Sequence, residues 1–118
     1  MINGVHMLIF SKNADAIRAF FRDVLELRSV DAGHGWSIFA LPPAEVAAHP
    51  TDSEKDSHEF YLMCEDLDAT IAELEAKGIA VTQPIRVERW GRVTEIKIAP
   101  GSQIALYQAE HPTAIRSA

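Results

Sequence analysis

Followed for its apolar and polar positions, the chain runs through one pattern twice. Val5 to Phe10 is short and apolar and ends at the polar Ser11-Lys12-Asn13, which predicts a strand closing at a turn. Ile17, Phe20, Phe21 and Val24 then recur at i, i+3, i+4, i+7, the spacing of an amphipathic helix, with Asn13 or Asp15 placed to cap its start. Room for one weak strand lies between Leu27 and Gly35. Trp36 to Leu41 reads as a strand halted by Pro42-Pro43, and Glu45 to His49 as another halted by Pro50.

The polar stretch "PTDSEKDS", Pro50 to Ser57, is the clearest linker, and the pattern then restarts. His58 to Met63 reads as a strand, and Leu67, Ile71 and Leu74 form the stripe of a helix from about Leu67 to Lys77. Gly78 is its expected left-handed stop. Ile79 to Val81, Ile85 to Glu88, Val93 to Ile98 and Gln103 to Gln108 supply further β-rich pieces, and "AEHPTAIRSA" reads as a frayed tail. Landmarks of the first half (His6, Asp15-Ala16, Pro42, Glu45) meet counterparts in the second (His58, Asp68-Ala69, Pro100, Gln103) roughly fifty to sixty residues later. Two copies are too few for a solenoid. The expected fold is α+β: a single domain over 1–118 built from two βαβββ modules, about 1–50 and 57–110. Their curved half-sheets enclose a cleft as an eight-stranded incomplete barrel, helices outside.

Composition narrows the function classes. The 118 residues are 47% hydrophobic and 24% charged, an ordinary globular balance. A net charge of −6 without a basic stripe argues against a nucleic-acid partner. A lone cysteine, Cys64, forbids an intrachain disulfide and fits a reducing, cytoplasmic location. The longest N-terminal apolar run contains His6 and is too short for a membrane span or a signal h-region. A Gly-rich phosphate loop, a Gly-x-Ser-x-Gly elbow and a Cys-x-x-Cys pair are all missing from the sequence.

Taken in order, the His6-led strand, "AIRAFFRDVLEL", the His58-led strand, "DLDATIAELEAKGI" and "ERWGRVTEIKIAPGSQIALYQ" resemble the vicinal oxygen chelate superfamily. That superfamily includes glyoxalase I, bleomycin-resistance proteins and extradiol dioxygenases, and the resemblance spans Val5 to about Pro112. It implies a divalent metal (Fe, Zn, Mn or Ni) at the cleft floor, chelating two vicinal oxygens of a substrate. It also implies ligands from the first and last strands of each module. His6 and His58 match the first-strand pair, whereas the glutamate positions of the last strands fall on Ala47 and Ala105. Two imidazoles alone are a weak site, because zinc takes three or four protein ligands and non-haem Fe(II) two histidines and a carboxylate. Beside the lost positions, on the same strand faces, stand Glu45 and His49 in the first module and Gln103 and Tyr107 in the second. His6, His58 and His49 are therefore the candidate metal ligands, with Glu45 as alternative third donor or proton carrier.

Alternation along the strands groups His6, Leu8 and Phe10 on one face and His58, Phe60 and Leu62 on another. If the helices cover the Met7 and Ile9 side, both histidines enter the cleft. Arg86, Arg89 and Arg92 surround Trp90, and guanidinium forks beside an indole suit an anionic or aromatic ligand, unless surface acids such as Glu88 and Glu95 claim them. Trp90, Arg89 and Arg92 are candidate substrate contacts, and Tyr107 a catalytic or binding hydroxyl. Cys64 has no basic neighbour to activate it, His34 is a rim residue, and His111 in the tail carries no assigned role. Two functions follow from the resemblance. One is a metal-dependent glyoxalase- or dioxygenase-type enzyme; the other is a metal-free binder that sequesters a small molecule, as in the bleomycin-resistance branch. A homodimer is expected in either case.

Overall fold

The computed structural model describes residues 7–33, 37–45, 50, 52–55 and 58–112. Elements follow in the order α1 (Ala14–Ala19), a π-helical turn (Phe20–Val24), β1 (Ser29–Asp31), β2 (Ser37–Phe39), β3 (Tyr61–Met63), α2 (Leu67–Ala76), β4 (Arg86–Glu88), β5 (Gly91–Ala99) and β6 (Ser102–Ala109). β1 and β2 form an antiparallel pair, and the other strands form one sheet in the order β3-β6-β5-β4. From β3 onward the chain is thus a β-α-β-β-β unit, with β3 parallel to β6 and the remaining pairs antiparallel. The α+β class holds, but the described strands make two open sheets, of two and four strands, and not the expected eight-stranded incomplete barrel.

α2 is written almost wholly in local sequence. The Asp66 carboxylate accepts from the Ala69 N–H at 3.0 Å, and Gly78 at φ 82° lets the Gly78 and Ile79 N–H groups reach the Glu75 and Leu74 carbonyls. Leu67 and Leu74 are buried and Ile71 packs against them, as the stripe predicts. The first helix departs from expectation. Asn13 occupies the N-cap without a side-chain cap bond, because its amide donates instead to the Pro100 carbonyl at 2.7 Å. After Ala19 the helix widens into the π turn, closed by Leu25 N–H on the Phe20 carbonyl at 3.2 Å. The extra residue per turn broadens the apolar face, so Phe20, Phe21, Val24 and Leu25 all contribute to the core.

Both helices lie on one face of the four-stranded sheet. Ile17, Phe20, Leu67 and Leu74 pack on Ile96, Ile98, Ile104 and Leu106, and the Lys77 ammonium donates to the Val24 carbonyl at 3.0 Å between them. Thr94, the buried polar residue of this face, donates its hydroxyl to the Gln83 carbonyl at 2.6 Å. Residues 7–10 are not assigned to a strand, against the expectation for Val5 to Phe10; they are exposed, Phe10 to 90%. Extended pairing needs a neighbouring edge, and these residues run instead toward the β5–β6 hairpin, where Ser11 and Ser102 hydroxyls lie 3.4 Å apart. Of the β-rich piece expected at residues 79–81, Val81 alone bridges to Ile96.

Candidate functional site

Alternation along β5 and β6 sends one set of side chains under the helices and the other to the open face. The register places Tyr61, Ala105 and Glu95 in one row of that open face, and Met63, Tyr107, Val93 and Arg86 in the next. In front of it lies an open cleft of about 750 Å³ whose lining includes Glu59, Tyr61, Arg86, Val93, Glu95 and Ala105. Ile9 lines it too, so the condition that the helices cover the Met7 and Ile9 side is not met at Ile9. The helix-facing strand positions are those filled by Leu62, Thr94, Ile96, Ile104 and Leu106.

At one end of the open face three rings meet. Tyr61, Trp90 and Tyr107 have centroids 5.4 to 6.2 Å apart and planes inclined by 74° to 76°. Such edge-to-face contacts place ring hydrogens against π faces. Trp90 belongs to the two-residue turn between β4 and β5, and its carbonyl is tied to β6 by the Glu110 N–H at 2.9 Å. Gly91 makes this closeness possible: a Cβ there would stand 2.4 Å from the Gln108 carbonyl oxygen. His111 stacks on Tyr107 at 6.2 Å and 25°.

Carboxylates surround the tyrosines. The Tyr61 hydroxyl donates to Glu59 at 3.2 Å, and the Tyr107 hydroxyl lies 3.4 Å from both Glu45 Oε1 and His111 Nε2. His111 Nδ1 sits 2.8 Å from the Pro112 carbonyl, an acceptor that calls for a proton on Nδ1 and leaves Nε2 toward Tyr107. Burial, then the nearby Glu45 charge, raises the Tyr107 phenol above its ordinary value; burial and Glu59 do the same for Tyr61, opposed by Arg86. Both are neutral hydrogen-bond donors near neutrality.

The predicted residues separate accordingly. Glu45, Tyr107 and Trp90 come together although they are far apart in sequence. Arg92 faces the other way, its guanidinium held by Asp68 of α2 at 3.0 Å, because its strand position alternates with Val93. Arg89 is exposed in the turn beside Trp90. His58 is exposed and outside the cleft lining, whereas Glu59 is in it. The alternation that turns Leu62 toward the core turns Glu59 and Tyr61 toward the cleft. His6, His49 and Ala47, with His34 and Trp36, lie outside the described residues. Among the described residues no group of three His, Cys, Asp or Glu side chains converges to hold a metal ion. Ala105 faces the cleft with a methyl group where the resemblance looks for a carboxylate. The described residues therefore do not by themselves fit a metal centre. Tyr61 and Glu59 were not singled out from sequence, although the parity of Glu59 with Tyr61, and of Tyr61 with the sheet register, was an available signal; His111, read there as a tail residue without a role, stacks on Tyr107.

The family model of the glyoxalase/bleomycin resistance protein/dioxygenase superfamily matches residues 5–100, and the chain belongs to that superfamily. Three solved structures show how the fold is shared. The antibiotic binding protein TnmS3 from Streptomyces sp. CB03234 is 23% identical over 89% of this chain and 100% of its own, with a TM-score of 0.59. A lactoylglutathione lyase from Agrobacterium tumefaciens is 17% identical over 90% and 92%, with a TM-score of 0.62. A superfamily member from Sphaerobacter thermophilus DSM 20745 is 23% identical over 91% and 98%, with a TM-score of 0.59. A search of curated proteins finds no significant match. Among the described residues no helix is long and apolar enough to cross a membrane.

Proposed function

We propose that this chain is a small-molecule binder of the bleomycin-resistance type, holding its ligand in the cleft against Tyr61, Trp90 and Tyr107. The fold does not choose, since an antibiotic binding protein and a lyase are both similar to it. The observation that supports binding is the 750 Å³ cleft, a size suited to a drug-sized molecule, with Tyr61, which touches Trp90 and Tyr107, in its lining. Ala105 on the same face supports it further, because a methyl group supplies neither a metal ligand nor a proton.

A metal-dependent enzyme of the glyoxalase or dioxygenase type is the second reading. What favours it is Glu45, an acid-base group within reach of the Tyr107 hydroxyl. Its metal would need His6, His58 and His49. Metal analysis of untagged protein, before and after soaking in Zn, Fe, Mn or Ni, separates the two. Near-stoichiometric metal that His58→Ala abolishes would replace the binder with the enzyme. Only trace metal, together with saturable quenching of Trp90 by aromatic compounds, is the expected result. We also propose a homodimer, in which a second copy covers exposed apolar residues such as Leu8, Phe10 and Ile38. Sedimentation showing monomer alone at micromolar concentration would remove that part.

A further inference from the structure

We infer that one wall of the cleft is a bulge at Pro84-Ile85, and that Thr94, buried beside it, is the positioning residue that fixes this wall for the ligand. The inference rests on the binder reading and says how its site is shaped. The pairing registers carry it. Ahead of β4 the chain runs antiparallel to β5: Val81 bridges Ile96, the Thr82 N–H donates to the Glu95 carbonyl at 2.8 Å, and the Lys97 N–H to the Ala80 carbonyl at 2.9 Å. Inside β4, Arg86 stands opposite Val93. Four residues thus lie between Val81 and Arg86 on one strand, and two, Thr94 and Glu95, between Val93 and Ile96 on the other. The surplus pair leaves the ladder as a bulge, and Pro84, which has no N–H to offer, marks the place.

A bulge turns backbone groups off the ladder, and they need other partners. The Gln83 carbonyl finds one inside, where the Thr94 hydroxyl donates to it at 2.6 Å. Thr94 is 4% exposed, the buried polar residue of a face otherwise made of Ile96, Ile98, Ile104 and Leu106. Valine would fill that position as well, with no hydroxyl to satisfy, so packing alone gives no reason for threonine there. The reason lies at the other end of the bond, because Gln83, Pro84, Ile85 and Arg86 all line the cleft. Ile85 also packs against the core, while Pro84 stays exposed. Bulges re-aim side chains beside binding sites, and this one adds a proline and an isoleucine to the lining that Tyr61 shares.

Two variants test this. Thr94→Val keeps the shape and removes the hydroxyl; Thr94→Ser keeps the hydroxyl and removes a methyl group. Hydrogen exchange read by mass spectrometry over residues 82–88 reports the wall. Binding is read with N-phenyl-1-naphthylamine, a neutral aromatic that brightens in apolar sites, alongside quenching of Trp90 in a Trp36→Phe background. Thr94→Val should weaken the probe about tenfold and speed exchange in 82–88 more than in α2, because the Gln83 carbonyl loses its partner. Thr94→Ser should hold the probe as wild type does, even where circular dichroism shows a lower Tm. Equal weakening by valine and serine, or wild-type affinity or unchanged exchange in the valine variant, makes Thr94 a packing residue and overturns the inference. If wild type does not take up the probe, the binder reading falls, and the exchange comparison decides the role of Thr94 by itself.

Discussion

Gly91→Ala probes how Trp90 is held over the two tyrosines. Gly91 has ordinary backbone angles, so the expected cost is steric: its new Cβ would meet the Gln108 carbonyl oxygen at 2.4 Å, a backbone atom that cannot rotate away. Either β5 lifts from β6 at its first residue or the Trp90 turn tilts, and both loosen the contacts at 5.7 and 6.2 Å to Tyr107 and Tyr61. Overpacking of this kind costs about 1 to 3 kcal/mol. With an unfolding entropy of about 2.1 cal/mol/K per residue, the 118-residue chain should lose about 4 to 12 °C in Tm. Gly78→Ala is the contrasting control. There a Cβ meets nothing within 4 Å, but φ of 82° imposes a purely conformational cost of about 1 kcal/mol. Thermal melts by circular dichroism give the stabilities, and Trp90 emission in the Trp36→Phe background gives the local effect. Gly91→Ala should lower Tm and shift Trp90 emission to the red, whereas Gly78→Ala should lower Tm alone. If Gly91→Ala melts like wild type with unchanged emission, the turn is not packed on β6 as described.

Two further outcomes follow from the packing. Leu67→Ala empties a fully buried site beneath α2 and should cost about 2.5 to 5 kcal/mol by denaturant unfolding; a loss below about 1 kcal/mol would contradict the burial. The chain has two tyrosines, Tyr61 and Tyr107, so tyrosinate absorbance reports them alone. Their folded pKa values are raised above the ordinary 10.0, so the folded state keeps protons that the unfolded chain releases. Their contribution to stability is intact below about pH 10 and is lost as pH rises through the folded values, because the unfolded state then gains by ionising. Native protein should therefore titrate later than unfolded protein, and coincident curves would refute the buried, carboxylate-flanked setting.

The superfamily was legible because its pieces are local and ordered. α2 is the clearest case: Asp66 starts it, Leu67, Ile71 and Leu74 define its face, and Gly78 ends it, each within hydrogen-bonding reach along the chain. The apolar alternation of residues 93–98 and 103–108 likewise suffices to mark β5 and β6. What alternation cannot say is which parity faces the helices. That depends on where α1 and α2 dock and on the register that sets Tyr61 opposite Ala105, both fixed by contacts far apart in sequence. A shift of one residue exchanges His58 for Glu59 at the cleft and Arg92 for Val93. The ring cluster is tertiary in the same sense, since Tyr61, Trp90, Tyr107 and Glu45 meet only when β3, the β4–β5 turn, β6 and the segment before residue 46 converge. Sequence alone thus determined the elements, because their signals are periodic and short-range. Tertiary structure decided the chemistry of the cleft, because that depends on which face each periodic element turns inward.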